Sequence, residues 1–232
     1  MGDPSALSGA GRPVMLLDAD GTARDQMDRD REILSRMTRW RRPVLRLYRI
    51  RSGVTVGRTW AGDLPPDWPT LSEGPVVRPT GGGAVLHGAD LCLSLFVPWS
   101  PAFPRGQNWP RFYERLHRWI GDGLRQSGIQ SREVSVCKDP SGRRSNQNPS
   151  GLCFSEPVRG DREADGRKIL GGALGLFRDG LLYQGSICPP DPLSPLSRLF
   201  EGWYCLEGRE PLARVLFFER NEDAGSKTCR TP

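Results

Sequence analysis

Hydrophobic residues recur with the 3.6-residue period of a helix in two segments of the chain. Residues 20–40 place one set near a common face, with Thr22 or Asp20 as the N-cap: Met27, Ile33, Leu34, Met37 and Trp40. Residues 110–128 repeat the period until Gly128 ends it, with the set Phe112, Leu116, Trp119, Ile120 and Leu124. The pattern therefore predicts two long helices.

The other hydrophobic segments are short and rich in β-branched or aromatic residues, which is typical of strands. Residues 14–18 predict a short buried strand, and residues 133–137 predict another. Residues 41–58 predict a β-hairpin that turns at Arg51, Ser52 and Gly53. Residues 74–98 predict two strands joined by a three-glycine turn, and residues 168–187 a second hairpin with Asp179 and Gly180 in its turn. The proline-rich residues 62–75 predict an irregular connection.

Together these elements predict an α+β fold with a mixed, mainly antiparallel β-sheet flanked by helices. We expect one domain over residues 14–220, a loose lead-in at 1–13 and a frayed tail at 221–232. Residues 138–151 are polar and predicted to be mobile, and 196–206 and 211–220 predict helical segments. No apolar run approaches the ~20 residues needed to cross a bilayer. The first residues lack a secretory signal, so we expect a cytoplasmic protein without membrane contact.

The formal net charge of +6 suits an acidic partner. Basic residues are spread along the chain, without zinc-finger spacing or a ribonucleoprotein motif, so nucleic acid is a minor alternative. The six cysteines form no C-x-x-C pair, and the chain has two histidines. We therefore expect neither a metal site nor a disulfide framework.

Cys153 and Lys168 are the first candidate pair for catalysis. A cysteine attacks acyl groups as the thiolate, and a nearby ammonium favours that form. The chain has 33 lysines and arginines together but only three lysines, so we interpret the ammonium at 168 as chemically required. A second interpretation stays open, in which Cys153 is a small buried hydrophobe and Lys168 an ordinary residue at the start of a strand.

The segment RPTGGGAVLHGAD, residues 78–90, is the second candidate site. Three successive glycines let backbone N–H groups approach a ligand closely, because no Cβ intervenes. Arg78 adds a cation beside the turn, and His87 follows at the end of the next strand. The segment is neither a Walker loop nor a dinucleotide fingerprint. A flexible turn with a neighbouring arginine, and a half-buried strand histidine, remain the alternatives.

The two segments, in this order and spacing, resemble the lipoate–protein ligase and octanoyltransferase family, whose catalytic domain is related to biotin ligases. RPTGGGAVLHGADLCLSL is similar to the family's Arg-x-[ST]-Gly-Gly-x-Ala-Val-x-His stretch. GRKILGGALGLFRDGLLYQGSI is similar to its Gly-Arg-Lys stretch and the strand that follows, which ends in His-Gly-Ser. The resemblance covers about residues 16–190 and implies a biotin/lipoate-ligase-like catalytic domain.

The resemblance also implies roles for individual residues. Lys168 would contact the acyl carbonyl or an acyl-adenylate. The acyl group would bind along both motifs, at Arg78, Thr80, Gly81, Gly82, Gly83, Ala84, His87, Gly171, Gly172 and Ala173. GLCFSEP is similar to the Cys-Phe-x-x-Pro segment of the cysteine-dependent octanoyltransferases, the subfamily that the chain resembles most. In that subfamily the cysteine, here Cys153, carries the acyl group as a thioester.

Several positions depart from the family pattern. Val77 stands where many relatives have arginine, and Gly88 stands where an aspartate is usual. Gly172 and Leu174 replace a serine and a glutamine, which we interpret as the loss of a hydroxyl and an amide from the site. Tyr183 and Gln184 stand where Gln-His is common. These departures leave open an altered substrate or reduced activity.

We therefore predict an acyltransferase of lipoate biosynthesis and protein lipoylation. It would move an octanoyl or lipoyl group from acyl carrier protein to a lysine of a lipoyl-domain protein, without a cofactor. The alternatives are an ATP-dependent lipoate–protein ligase, which would need ATP and Mg, and a catalytically impaired acyl- or carrier-binding paralogue. The hypothesis requires the Cys153 sulfur and the Lys168 nitrogen to meet at the mouth of an apolar channel floored by the glycine turn.

Overall fold

The computed structural model describes residues 14–39, 42–68, 73–88, 90–101, 103–106, 108–134, 153–155 and 157–188. Several predictions concern residues outside these ranges: the lead-in at 1–13, the polar residues 138–151, the segments 196–206 and 211–220, and the tail at 221–232. No helix within the described ranges combines the length and apolarity that a bilayer span requires.

Two helices form where the hydrophobic period predicts them. Helix α1 spans Ala23–Ser35, and helix α2 spans Trp109–Gln126. Thr22 begins α1 with a capping box, in which the side chains of Thr22 and Asp25 each accept the other residue's backbone N–H. Gly128, with a φ of +85°, follows the end of α2. Both helix predictions are confirmed, although Trp40 lies outside the described residues.

Ten strands of the described chain form two sheets. They are β1 (Val14–Leu17), β2 (Val44–Tyr48), β3 (Gly53–Val56), β4 (Val76–Val77), β5 (Val85–His87), β6 (Leu91–Pro98), β7 (Arg132–Glu133), β8 (Arg162–Ala164), β9 (Arg167–Leu176) and β10 (Gly180–Ile187). The large sheet has the order β1-β2-β6-β10-β9-β8-β7, and the small sheet the order β4-β3-β5. β1–β2 and β3–β4 are parallel, and the other pairs are antiparallel. The predicted mixed, mainly antiparallel architecture is confirmed.

The predicted hairpin over residues 41–58 is wrong. β2 pairs with β1 and β6 in the large sheet, whereas β3 pairs with β4 and β5 in the small sheet. Because both edges of β2 are already paired, β3 has no edge of it to join. The chain crosses between the sheets at Gly53, where a Cβ would lie 2.8 Å from the Ala23 Cβ.

The other strand predictions are confirmed in whole or in part. The glycine turn joins β4 to β5, but both strands pair with β3 rather than with each other, and β6 follows as a third strand. β9 and β10 form the predicted hairpin around Asp179 and Gly180. β7 overlaps the predicted strand at 133–137 only at Glu133, because Val134 is not part of β7 and residues 135–137 lie outside the described ranges. The sequence did not indicate β8, which lies in a charged, turn-rich segment.

Side-chain alternation gives the large sheet two different faces. In β6, one set of residues packs against α2: Leu91, Leu93, Leu95 and Val97. The other set, Cys92, Ser94 and Phe96, faces α1. β10 follows the same rule, with Leu181 and Tyr183 toward α2 and Leu182 and Gln184 toward α1. The face toward α1 and the small sheet carries polar side chains such as Ser94 and Gln184, and the candidate site lies on it.

Candidate active site

A pocket opens on this polar face, lined by residues of α1 and of both sheets. Its apolar wall consists of Met27, Tyr48, Ile50, Val85, Cys92 and Ala173. Its other lining residues are Thr55, Arg78, Gly82, His87, Cys153, Gly171, Gly172, Gln184, Gly185 and Ser186. The glycine turn, the predicted thiol and strand β9 therefore share one pocket, as the hypothesis requires.

Cys153 lines this pocket, and Lys168, which is not one of the lining residues, meets Cys153 there. Lys168 Nζ donates a hydrogen bond to the Cys153 carbonyl oxygen at 2.5 Å and lies 3.8 Å from the Cys153 sulfur. The Cys153 backbone N–H donates to the Ala84 carbonyl oxygen at 3.0 Å, which fixes the thiol beside the glycine turn. The predicted convergence of sulfur and nitrogen is confirmed.

The path of the Lys168 side chain depends on Gly171. Leu170 pairs with Arg162 and Lys168 with Glu163, so β9 carries one extra residue between them. This irregularity brings Lys168 and Gly171 to the same face of the strand. A Cβ at Gly171 would lie 2.4 Å from Lys168 Cε and 3.6 Å from the Cys153 sulfur. Glycine at this position therefore leaves the space through which the lysine reaches the thiol.

Asp161 is a site residue that the sequence analysis missed. Its Oδ2 lies 2.7 Å from Lys168 Nζ, and the two side chains are 0% and 4% exposed. Asp161 belongs to the segment RGDREADGR, whose charge is typical of a solvated loop. Nothing local distinguishes it from its charged neighbours, so only the fold reveals a buried ion pair.

Arg78 holds the glycine turn in place through hydrogen bonds to its backbone carbonyl oxygens. Its Nη1 donates to the Thr55 carbonyl oxygen at 3.0 Å and to Thr55 Oγ1 at 2.8 Å. Its Nη2 donates to the carbonyl oxygens of Gly81 and Gly83, at 3.1 and 2.7 Å. Burial lowers the pKa of the guanidinium below its usual value, but the group stays charged. No carboxylate pairs with Arg78 among the described residues, so its positive charge faces the pocket.

His87 connects Arg78 to Asp90. Its Nε2 lies 2.7 Å from Thr55 Oγ1, and its Nδ1 lies 2.8 Å from Asp90 Oδ2. Thr55 Oγ1 also accepts from Arg78 Nη1, so this hydroxyl links the guanidinium to the imidazole. The pocket wall is thus braced by one chain of hydrogen bonds from Asp90 to the glycine turn.

Asp90 is ionised in this arrangement. Burial disfavours its charged form, but the charge of His87 and the hydrogen bonds from His87, Ser186 and the Gly88 N–H lower its pKa to about 2. Ligand atoms of His87, Asp90 and Cys92 lie within 4.8 Å of one another. Burial and Asp90 raise the pKa of the Cys92 thiol well above its usual value, and the thiol donates to the carboxylate. These hydrogen bonds account for the cluster, and we assign no metal to it.

Gln184 forms part of the pocket wall and is held by buried partners. Its Oε1 accepts from Thr80 Oγ1 at 2.7 Å, and its Nε2 donates to Asp30 Oδ2 at 2.6 Å. Arg46 Nη1 lies 2.6 Å from the other Asp30 oxygen. Burial raises the pKa of Asp30 even though the charge of Arg46 acts in the opposite direction. This network joins α1 to β10 behind the pocket.

The structure separates the predicted binding residues into two groups. Arg78, Gly82, His87, Gly171, Gly172 and Ala173 line the pocket. Thr80, Gly81, Gly83 and Ala84 lie behind it and bond to residues that line it. The sequence analysis missed the lining residues Met27, Tyr48, Ile50, Thr55, Val85, Cys92, Gln184, Gly185 and Ser186. Strand alternation could have found some of them, but only with the sheet register known.

The departures at 172 and 174 do not point into the pocket. A Cβ at Gly172 would lie 2.5 Å from Tyr183 Cε2 and from its hydroxyl oxygen, on the α2 face of the sheet. Leu174 packs against the core on that same face. The structure therefore corrects the interpretation that these residues remove a hydroxyl and an amide from the site. Of the other departures, Val77 is 48% exposed and Gly88 has a φ of +157°.

Three of the cysteines lie in the described ranges, and all three are free thiols: Cys92, Cys153 and Cys188. Burial raises the pKa of Cys188 to about 12, and it raises the pKa of Cys92 well above its usual range. Both are therefore thiols at neutral pH. Of the three, only Cys153 has an ammonium beside it.

Comparison with known proteins identifies the family. The model of the lipoyl protein ligase A/B catalytic domain matches residues 22–203. Octanoyltransferase LipM of Exiguobacterium sp. is 34% identical over 186 residues, which cover 77% of this chain and 65% of the relative. Octanoyltransferase LipM of Bacillus cereus is 34% identical over 130 residues, covering 54% and 45%. The chain thus spans about half to two thirds of the length of these curated relatives.

Two solved structures share the fold. A candidate lipoate protein ligase from T. acidophilum matches with a TM-score of 0.57 and 23% identity, over 82% of this chain and 72% of that one. A lipoate-protein ligase A bound with ATP matches with a TM-score of 0.53 and 22% identity, over 78% and 68%. With a family model that covers most of its length, this chain belongs to the lipoyl protein ligase A/B catalytic domain family.

Proposed function

We propose that this chain is an octanoyltransferase that works through a thioester on Cys153. The observation that carries the proposal is the position of the Cys153 sulfur. Cys153 lines a pocket with an apolar side, and its sulfur lies 3.8 Å from the buried Lys168 ammonium. The octanoyltransferase relatives support octanoyl as the acyl group. The donor is an acyl-carrier thioester, and the acceptor is a lysine of a lipoyl domain. The pathway is protein lipoylation.

In the first half-reaction the Cys153 thiolate attacks the carbonyl carbon of the carrier thioester. A carbon–sulfur bond forms to Cys153, and the bond to the carrier sulfur breaks. The carrier leaves as a thiolate that takes a proton from solvent. We assign stabilisation of the intermediate oxyanion to N–H groups of the glycine turn, about 3 to 4 kcal/mol per donor in comparable sites.

In the second half-reaction the neutral ε-amine of the acceptor lysine attacks the same carbonyl carbon. The new carbon–nitrogen bond becomes an amide, the bond to Cys153 breaks, and the amine proton passes to solvent. The departing sulfur becomes a thiolate again beside Lys168. The same ammonium therefore stabilises the nucleophile of the first step and the leaving group of the second. No bound cofactor enters either step.

Both protein partners are expected to be acidic, which suits the net charge of +6. The Cys153 thiol must also stay reduced in order to act as the nucleophile, so we propose that the reaction takes place in the cytosol.

One assay tests the reaction. Purified chain and apo lipoyl domain are mixed either with octanoyl carrier protein and no ATP, or with free lipoate, ATP and Mg. We expect modification of the lipoyl domain in the first mixture, and an octanoyl adduct on Cys153 in the intact mass when the acceptor is omitted. Modification in the second mixture alone would replace this proposal with an ATP-dependent ligase.

Cysteine variants provide the control. Cys153→Ser should abolish both adduct and transfer, because a hydroxyl beside an ammonium does not ionise near neutral pH. Cys188→Ser should keep full transfer, because that thiol is protonated at neutral pH and does not line the pocket. Full activity in Cys153→Ser would refute the thioester route. Tight carrier binding with neither adduct nor turnover would indicate a non-catalytic binding protein.

A further inference from the structure

Lys168 is held between two partners, and only Cys153 belongs to a family motif. The other partner is Asp161, whose Oδ2 forms an ion pair with Lys168 Nζ at 2.7 Å and accepts from the Val158 backbone N–H at 2.8 Å. A fully buried carboxylate is stable only with such partners. Asp161 is therefore an anchored counter-ion for the lysine.

Tyr113 of α2 binds the other oxygen of this carboxylate. Its hydroxyl donates to Asp161 Oδ1 at 2.7 Å and accepts the Gly172 backbone N–H at 3.1 Å. Gly172 needs such a partner because β8 pairs with β9 only as far as Leu170, which leaves the edge of β9 open beyond that residue. Burial raises the pKa of the Tyr113 hydroxyl above its ordinary value of 10. The hydroxyl thus stays protonated and ties the counter-ion to a strand that lines the pocket.

We propose that Asp161 and Tyr113 are positioning residues of the acyl-transfer site. Asp161 keeps Lys168 charged and directed at the Cys153 sulfur, and Tyr113 fixes Asp161 relative to the pocket wall. The catalytic meaning of this arrangement rests on the function proposed above. Its chemical consequence, the reactivity of the Cys153 thiol, is measurable without any acyl substrate.

The direction of the effect follows from the distances. The carboxylate is 2.7 Å from the ammonium, and the ammonium is 3.8 Å from the sulfur. The carboxylate contacts the ammonium directly, and its hydrogen bonds go to Tyr113 and Val158 rather than to the sulfur, so its removal destabilises the charged lysine more than it relieves the thiolate. A buried ammonium without its counter-ion tends to lose its proton, and a neutral amine does not stabilise a thiolate. Loss of Asp161 should therefore make the thiol less reactive.

Other titratable or charged groups lie around this set and keep one charge state over the tested range. They are Tyr113 and His117 of α2, Tyr183 of β10, Arg162 of β8, and Arg78 beside the glycine turn. Burial lowers the pKa of His117 to about 3, so that ring is neutral. Burial keeps both tyrosines protonated, and the arginines stay charged.

The test is the rate at which iodoacetamide alkylates Cys153, followed by peptide mass spectrometry in wild type and Asp161→Asn. At about pH 7 we expect the variant to react about tenfold more slowly, which corresponds to one unit of lost thiolate stabilisation. At about pH 9.5 the difference should close, because the thiol ionises there without help. Structural damage alone would change the rate at both pH values.

Tyr113→Phe removes only a hydroxyl and is the second variant. We expect its alkylation to be about threefold slower than that of wild type at about pH 7, because Asp161 would lose one of the hydrogen bonds that fix its position. Tyr183→Phe is the matched control, since Tyr183 is also buried but its hydroxyl binds His117 Nε2 at 2.7 Å rather than Asp161. That variant should react within about twofold of wild type at both pH values.

Alkylation at the wild-type rate or faster in Asp161→Asn would overturn the proposal, as would equal slowing at both pH values. If Asp161→Asn does not fold, Tyr113→Phe decides by the same criteria. Where wild type transfers octanoyl, kcat should fall in both variants while the acceptor KM changes less than about twofold. Wild type that transfers nothing would defeat the proposed function and leave the alkylation result intact.

Discussion

The Lys168 side chain approaches Cys153 through the space that a side chain at residue 171 would occupy. If β9 alternated regularly, Lys168 and residue 171 would lie on opposite faces of the strand. In the observed strand they share a face, and a Cβ at residue 171 would lie 2.4 Å from Lys168 Cε. The extra residue in β9 and the glycine are thus two parts of one arrangement. At the scale of single residues, the observed contact between Lys168 and Cys153 uses the space left by glycine at 171.

Gly171→Ala should therefore displace the Lys168 ammonium from the thiol. We expect octanoyl transfer to fall at least about tenfold, the effect of losing one unit of thiolate stabilisation. The measurement is kcat for transfer to an apo lipoyl domain. Gly106→Ala is the matched control, since a Cβ at exposed Gly106 meets nothing within 4 Å. A Gly171→Ala variant as active as Gly106→Ala would mean that the lysine can approach the thiol by another path.

At the scale of elements, the β9–β10 hairpin is built around one tyrosine. The Tyr183 ring lies over Gly172 and Gly185, where added Cβ atoms would approach its hydroxyl oxygen to 2.5 and 2.4 Å. The hydroxyl reaches His117 of α2. The departures at 172 and 183 therefore compensate each other, because the ring occupies the space that a serine at 172 would need.

Gly172→Ser should destabilise the fold by about 1–3 kcal/mol through overpacking against Tyr183. The same substitution should cost much less in a Tyr183→Ala background, where the ring is gone. Urea unfolding of the two single variants and the double variant measures this coupling. Equal costs in both backgrounds would show that the ring and residue 172 do not compete for space.

The junction between β5 and β6 makes stability depend on acid pH. The pKa of Asp90 falls from 3.8 to about 2 on folding, so its stabilising effect is present above pH 3.8 and is lost as pH falls toward 2. Between pH 5 and pH 3 this contribution should fall by about 1 kcal/mol. Asp30 contributes to the pH dependence with the opposite sign, because its pKa is raised. The effect of Asp90 must therefore be measured by comparing wild type with a variant at residue 90.

Asp90→Asn removes this pH-dependent contribution to the free energy of unfolding. Its free energy of unfolding should therefore fall by about 1 kcal/mol less than that of wild type between pH 5 and pH 3. Urea titrations at the two pH values give the difference. Parallel losses in both proteins would exclude Asp90 as the source of the acid sensitivity.

At the scale of the whole molecule, charge should govern how the partners meet. The net charge of +6, together with the acidic carrier protein that the proposed function expects, should make kcat/KM for transfer from that carrier fall several-fold between about 20 and about 300 mM salt, while kcat changes little. Octanoyl N-acetylcysteamine, an uncharged donor, is the control, with the donor step measured as adduct formation on Cys153. A carrier-protein rate as insensitive to salt as that of the uncharged donor would contradict electrostatic steering.

The sequence alone determined what depends on neighbours along the chain. Helix periods, the Thr22 cap and the Asp179–Gly180 turn are local features, and both helices and the β9–β10 hairpin form as predicted. The motif spacing also indicated correctly that Cys153 and Lys168 would meet. Each of these depends on residues close in sequence or on an ordered pair of motifs.

Only the tertiary structure decided which strand edges pair and which way each side chain faces. β2 and β3 look like a hairpin in sequence, but competing strands far along the chain occupy the edges of β2. The direction of residue 172 and the burial of Asp161 follow from the register of β9 and from the end of β8, neither of which leaves a local pattern. Pairing between distant strands is a property of the assembled sheets, and it is this pairing that turns an ordinary charged segment into the counter-ion of the lysine.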